Sequence, residues 1–152
     1  MAWLPENFVH PMRVSVCDGH RLRPIRASDV DLDYPAVMGS RARSWARYGE
    51  AWGWPPASMT FEEDREDLVR HEREIEAHES FNYALFDEAE TALVGCVYVD
   101  PPDDGTPSTF DAVVSWWVVD EAVGTPVEAA LDAVVPRWLD QSWPFSKVLH
   151  SP

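Results

Sequence analysis

The chain has 152 residues and a mass of 17.2 kDa, with 45% apolar and 26% charged residues, one domain's worth and enough to bury roughly two-thirds of the extended-chain surface. These proportions exclude a multidomain enzyme, a collagen-like repeat and a low-complexity segment. Twelve basic residues face 27 acidic ones, a formal charge of −15; so acidic a chain repels phosphate backbones, and no nucleic-acid partner is expected.

An extended pattern begins directly after Met12, so residues 1–12 are expected to be a loosely attached extension of a single domain spanning 1–152. Val14 to Cys17 and His20 to Ile25 flank Asp18-Gly19, a dipeptide suited to the positive φ angles of a tight turn, and are read as a hairpin. Pro24 puts the second strand at an edge or near its own end. Ser28 is expected to cap a helix toward Tyr34 that Pro35 interrupts or kinks, with a second helical stretch past Gly39. Glu50 to Ser58 reads as a loop. Thr60 and Glu63 form a capping box opening a charged helix to about His78, with Phe61, Leu68 and Ile75 as a narrow buried stripe and the rest solvated.

From Ser80 the period becomes that of strands: Phe81 to Phe86, Leu93 to Val99, then Phe110 to Val119, the last apolar enough to be central. Thr125-Pro126-Val127-Glu128 reads as a second capping box with Pro at the first helical position, opening an apolar helix that Pro136 bends or restarts. Phe145 to Leu149 is a last short strand. An antiparallel meander joined to a terminal strand–helix–strand unit makes an α+β fold with a mixed, mostly antiparallel sheet flanked by helices.

Cys17 and Cys96 fit no CxxC or CxxH pattern and are read as free thiols of a reducing compartment. No stretch approaches 18 uncharged apolar residues, and Met1 to Met12 lacks the basic and apolar regions of a secretory signal. No membrane partner and a cytoplasmic location are expected. On the charged helix only His71 and Glu74 are well spaced for zinc, and a solvated face is the better reading, so no metal is assigned.

Arg21-Leu22-Arg23-Pro24-Ile25, Phe81-Asn82-Tyr83-Ala84-Leu85-Phe86, Leu93-Val94-Gly95-Cys96-Val97-Tyr98-Val99 and Ala112-Val113-Val114-Ser115-Trp116-Trp117-Val118, in this order, resemble the GNAT superfamily of N-acetyltransferases over residues 20–150. The resemblance implies a GNAT-like sheet, shortened at the C-terminus because the usual last helix and strand pair are absent. It implies acetyl-CoA or another acyl-CoA as cofactor, lying where the fourth and fifth strands splay apart. By that likeness Trp117, Val118, Val119, Val123, Gly124 and Thr125 would bind it, with the pyrophosphate on amides at the following helix start. The stretch departs from the family's Q/R-x-x-G-x-G/A pattern: Val123 replaces the first residue, Pro126 removes an amide, and Glu128 adds a negative charge.

The family's catalytic Glu matches Val113, so Asp111, two residues earlier and on the same face of a regular strand, is the implied displaced base. No Tyr follows Tyr98, and His150 stands in for the implied general acid. Arg41, Trp45, Trp52 and Trp54, with Arg43 and Tyr48, fall on the implied acceptor side, where flat aromatics beside guanidinium groups suit a small ligand; packing of the loop onto the sheet is the other, favoured reading of the tryptophans. Two functions follow. One is an acyl-CoA-dependent N-acyltransferase of a small-molecule amine; the other is a catalytically inactive GNAT-fold module that binds a ligand or partner. The shortened sheet edge also invites a homodimer by strand addition.

Overall fold

The computed structural model describes residues 2–152. Its six strands are β1 (Val14–Cys17), β2 (His20–Pro24), β3 (Phe81–Asp87), β4 (Leu93–Asp100), β5 (Ala112–Val118) and β6 (Val148–His150). They lie side by side in chain order, antiparallel except for the parallel β5–β6 pair. Between β2 and β3 come α1 (Val30–Gly39), α2 (Arg41–Trp52) and α3 (Phe61–Glu76); α4 (Pro126–Ser142) makes the crossover from β5 to β6. No helix among the described residues is long and apolar enough to cross a membrane.

Strand alternation sorts the core into two layers. Leu22, Tyr83, Leu85, Val97 and Trp116 point from the sheet toward α4, where Trp138 meets Tyr83 edge-on at 4.8 Å. Asn82, Ala84, Cys96, Tyr98, Ser115 and Trp117 face the layer of α1, α2 and α3. Asp18-Gly19 makes the expected hairpin, Gly19 taking φ +76°. At Gly95 a Cβ would stand 2.3 Å from the Trp117 carbonyl oxygen, so only glycine permits this approach of β4 to β5.

Several local expectations change. Ser28 does not cap a helix: it lies inside a 3-10 turn, Ala27–Asp29, and Asp29 holds the N-cap position of α1 while its carboxylate reaches back to accept from the Arg26 amide at 2.8 Å. Pro35 and Pro136 sit inside continuous helices; each removes one backbone bond, and packing onto the sheet outweighs that loss. Phe61 is exposed, so the buried face of α3 is Asp64, Leu68 and Ile75, with His71 partly buried between them. Residues 2–12 are packed rather than loose. Leu4 is buried, the Trp3 indole donates to the Asp111 carbonyl at 2.9 Å, Phe8 lies on Trp143, and the Tyr83 hydroxyl donates to the Pro11 carbonyl at 2.7 Å. Arg23 is engaged internally, its guanidinium bound to Asp29 at 2.7 Å and Glu90 at 2.9 Å, which ties the start of α1 to the β3–β4 turn.

Candidate functional site

The parallel partner of β5 is short. β6 pairs with Ala112, Val113 and Val114, and the Ser151 amide still reaches the Val114 carbonyl at 3.0 Å. Beyond that point β5 runs on to Val118 paired with β4 but with no strand on its other edge. A strand residue turns its N–H and C=O to the same edge, so Trp116 and Val118 present both groups there. Arg47 of α2 donates to the Trp116 carbonyl, and Arg43 donates to the Val118 carbonyl at 3.3 Å and to Asp120 at 3.2 Å. Arg43, Ser44, Ala46, Arg47, Trp117 and Val118 enclose a cleft of about 340 Å³.

The loop after β5 seals itself. The amides of Val119, Ala122, Val123 and Thr125 donate to the carbonyls of Val94, Val119, Asp120 and Ala122, and the Asp120 amide donates to the Ser40 hydroxyl. The expected second capping box does not form. The Thr125 hydroxyl donates to the Ala122 carbonyl at 2.6 Å, and the Glu128 carboxylate reaches past Thr125 to accept from the Gly124 amide at 3.0 Å. A carboxylate therefore occupies the positive end of α4, the position an anion would otherwise take.

A second hollow, about 300 Å³, lies between the sheet and the α1–α3 layer. Asn82 and Asp100 form its floor, Asp33, Asp64 and His71 its roof, and Trp52 and Trp54 its apolar wall with Tyr98. Burial, then the neighbouring charge of Asp64, pushes the Asp33 carboxyl well above the usual range, and the two share a hydrogen bond. Burial raises Asp64 and Asp67 as well, and raises Asp100 to about 6 against a hydrogen bond from Ser80 that works the other way. His71 is pushed down to about 4, by burial first and by Arg70 second, so its ring is neutral at pH 7. The aromatic wall continues toward β5: Trp52 stacks on Tyr48 at 4.3 Å, Trp54 lies 6.2 Å from Trp117, the Trp117 indole donates to the Tyr98 hydroxyl at 2.9 Å, and the hydroxyls of Tyr48 and Ser115 are 2.8 Å apart.

No family model matches the chain, and no curated protein matches its sequence significantly. Solved structures do. The ribosomal-protein-S5-alanine acetyltransferase of Vibrio fischeri superposes with a TM-score of 0.61 at 17% identity, over 86% of this chain and 68% of that one. RimL, a ribosomal L7/L12 N-acetyltransferase solved with coenzyme A, gives 0.63 at 16% identity over 83% and 67%. The microcin C7 self-immunity acetyltransferase MccE, solved with acetyl-CoA and AMP, gives 0.64 at 11% identity over 88% and 69%. The chain has the GNAT fold. It spans about two thirds of the length of these proteins, and at these identities the likeness is one of fold.

Against the GNAT frame the residues singled out in the sequence separate into groups. Trp117 and Val118 lie on the open edge of β5, whereas Val119 and Thr125 line a neighbouring apolar groove against α1. Val123 is exposed and the Gly124 amide is held by Glu128. Trp52 and Trp54 reach the acid-lined cavity together, while Arg41 and Trp45 form a cation–π pair at 5.2 Å outside it. Asp111 and His150 are not brought together. Asp111 precedes the start of β5, beside the loop that leads into β6, whereas His150 pairs with Val114 inside the sheet. The Asp111 carboxylate accepts from the Ser146 and Lys147 amides at 2.7 and 3.0 Å, and His150 stacks on Trp116 at 3.9 Å on the α4 side, burial lowering its pKa.

Sequence reasoning missed Asp33, Asp64, Asn82 and Asp100. A signal was present. Asp33 sits at core spacing between Val30 and Val37, and Asp64 stands one helical turn before Leu68, so each carboxylate occupies a position the apolar period assigns to the interior.

An acyl-CoA meets two different surfaces here. The loop does not fit a diphosphate held on its own amides, because Glu128 occupies Gly124 and Pro126 has no N–H. The cleft beside β5 fits better, since the guanidinium groups of Arg43 and Arg47 stand at an edge with outward-facing amides.

Proposed function

We propose that this GNAT-fold chain is an acyl-CoA-dependent N-acyltransferase of a small-molecule amine. The observation that carries the reading is the open edge of β5 beyond Val114, lined by α2 and bordered by the Tyr48, Trp54 and Trp117 rings, which continue to the acid-lined cavity. Arg43 and Arg47 are the residues that would take the phosphates, in place of the loop amides. Bound there, an acyl-CoA would supply the acyl thioester. The outward amides of Trp116 and Val118 are donors suited to a developing negative charge, and the aromatic wall keeps water from the acceptor side. Asp100, raised toward neutral pH inside the cavity, is better tuned as a proton acceptor than Asp111, whose oxygens already hold two amides.

A second reading, a ligand-binding module that has given up acyl-CoA, is favoured by the Glu128–Gly124 bond at the start of α4. Thermal denaturation with and without acetyl-CoA separates the two. At about a hundredfold excess over a micromolar affinity, a specific complex adds about 2.7 kcal/mol, a rise of several degrees. The double variant Pro126→Gly with Glu128→Gly is expected to bind acetyl-CoA more tightly. No rise in either protein supports the binding module.

A further inference from the structure

We infer that the cavity enclosed by α1, α3 and the β3–β4 floor is a recognition site for an alkyl-ammonium cation, a short aliphatic amine. Its interior holds an acceptor with nothing to accept from: Asn82 is 3% exposed and its side-chain oxygen has no partner. Asp64, 2% exposed, has only the Asp33 carboxyl to accept from among the described residues. A buried acceptor left unpaired loses its hydration without replacement, a loss that a donor-rich ligand recovers. The charge is one-sided as well. Arg70, half exposed at the rim, is shared by Asp67 and Glu74. Asp33, Asp64 and Asp100 have no cationic side chain among the described residues, and His71 is neutral.

The walls select the kind of cation. Trp52, Trp54 and Tyr98 give the hollow flat apolar sides, the surroundings that favour an organic ammonium with a hydrocarbon body. Among the described residues no three His, Cys, Asp or Glu side chains converge in metal-ligating geometry, so the acceptors are spread along the cavity rather than aimed at a point. At about 300 Å³ the space is at the small end of ligand pockets, which suits a short chain. Assigning this amine as the acyl acceptor rests on the acyltransferase reading; its binding does not.

The test is calorimetric titration of the full chain with 1,4-diaminobutane at physiological ionic strength, without acyl-CoA. One saturable site per chain is expected. Affinity should fall at least tenfold in Asp100→Asn, and also in Trp52→Ala, whose half-exposed ring can be removed with the fold kept, as its circular dichroism would report. Neutral 1,4-butanediol should give no binding, and millimolar Mg²⁺ should not compete. Absence of a saturable site, equal binding of the diol, displacement by Mg²⁺, or unchanged affinity in a folded Trp52→Ala variant would overturn the inference. Diamine binding beside a flat acetyl-CoA response would leave the inference standing and remove only the transferase reading; an acetyl-CoA response without diamine binding would do the reverse.

Discussion

A carboxylic acid buried among other acids holds its proton to a higher pH, and Asp100 shows what that does to stability. Its pKa rises from 3.8 unfolded to about 6 in the fold, so the unfolded chain ionises first. The contribution is full below about pH 4 and is lost as pH climbs through about 6, a change of roughly 3 kcal/mol. His71, lowered to about 4, acts with the opposite sign, adding stability as pH rises from about 4 to 6.5. Comparing the protein with Asp100→Asn isolates the first effect. In urea melts the stability difference between the two should shift against the natural protein from pH 4 to pH 7. A difference independent of pH would mean that Asp100 is not held protonated.

Individual elements are held by close approaches that a pattern of apolar and polar residues does not report. Gly95 lies opposite Val118, where a methyl group would meet the backbone of Trp117 and Val118, neither of which can rotate away. Gly95→Ala is therefore expected to cost about 2–3 kcal/mol and to loosen the β4–β5 pair, read as a lower urea midpoint and faster amide exchange at Cys96 and Val97. Gly49 makes the contrast: a methyl group there meets only the Trp45 ring, an exposed side chain free to move. At α4 the Thr-Pro-x-Glu signature located the helix start correctly, but the partner of the carboxylate differed from the one its spacing suggests. With Thr125 turned to the Ala122 carbonyl, the Gly124 amide is the donor that Glu128 reaches.

At the scale of the whole molecule, residues 2–12 close one end of the sheet. Trp3 stacks on Phe145 at 5.5 Å, Phe8 packs on Trp143 and His78, and Leu4 joins the core. Removing this segment uncovers Phe81, Tyr83 and Trp143, and a truncated chain beginning at Arg13 is expected to lose about 3–5 kcal/mol, measured as a fall in both Tm and urea midpoint. The sequence had pointed the other way, because short apolar residues without a period look like a tail until their partners are known. The same limit applied to the site. Trp52 and Trp54 were legible because tryptophans in a Pro-rich loop stand out. Asn82 and Asp100, single polar residues in apolar strands, acquire meaning only beside Asp33 and Asp64.

Local chemistry in the sequence was enough to determine the order of elements, the Asp18-Gly19 turn, the cap at Thr60, the start of α4 at Pro126 and the α+β sheet, because each depends on residues within a few positions of one another. Only the tertiary structure decided which acids lose their water, which arginine reaches which carbonyl, and where one edge of β5 is left open. Those properties belong to pairs such as Asp33 with Asp64 and Arg47 with Trp116, far apart along the chain. Desolvation and charge coupling depend on distance in space, and the fold alone sets that distance.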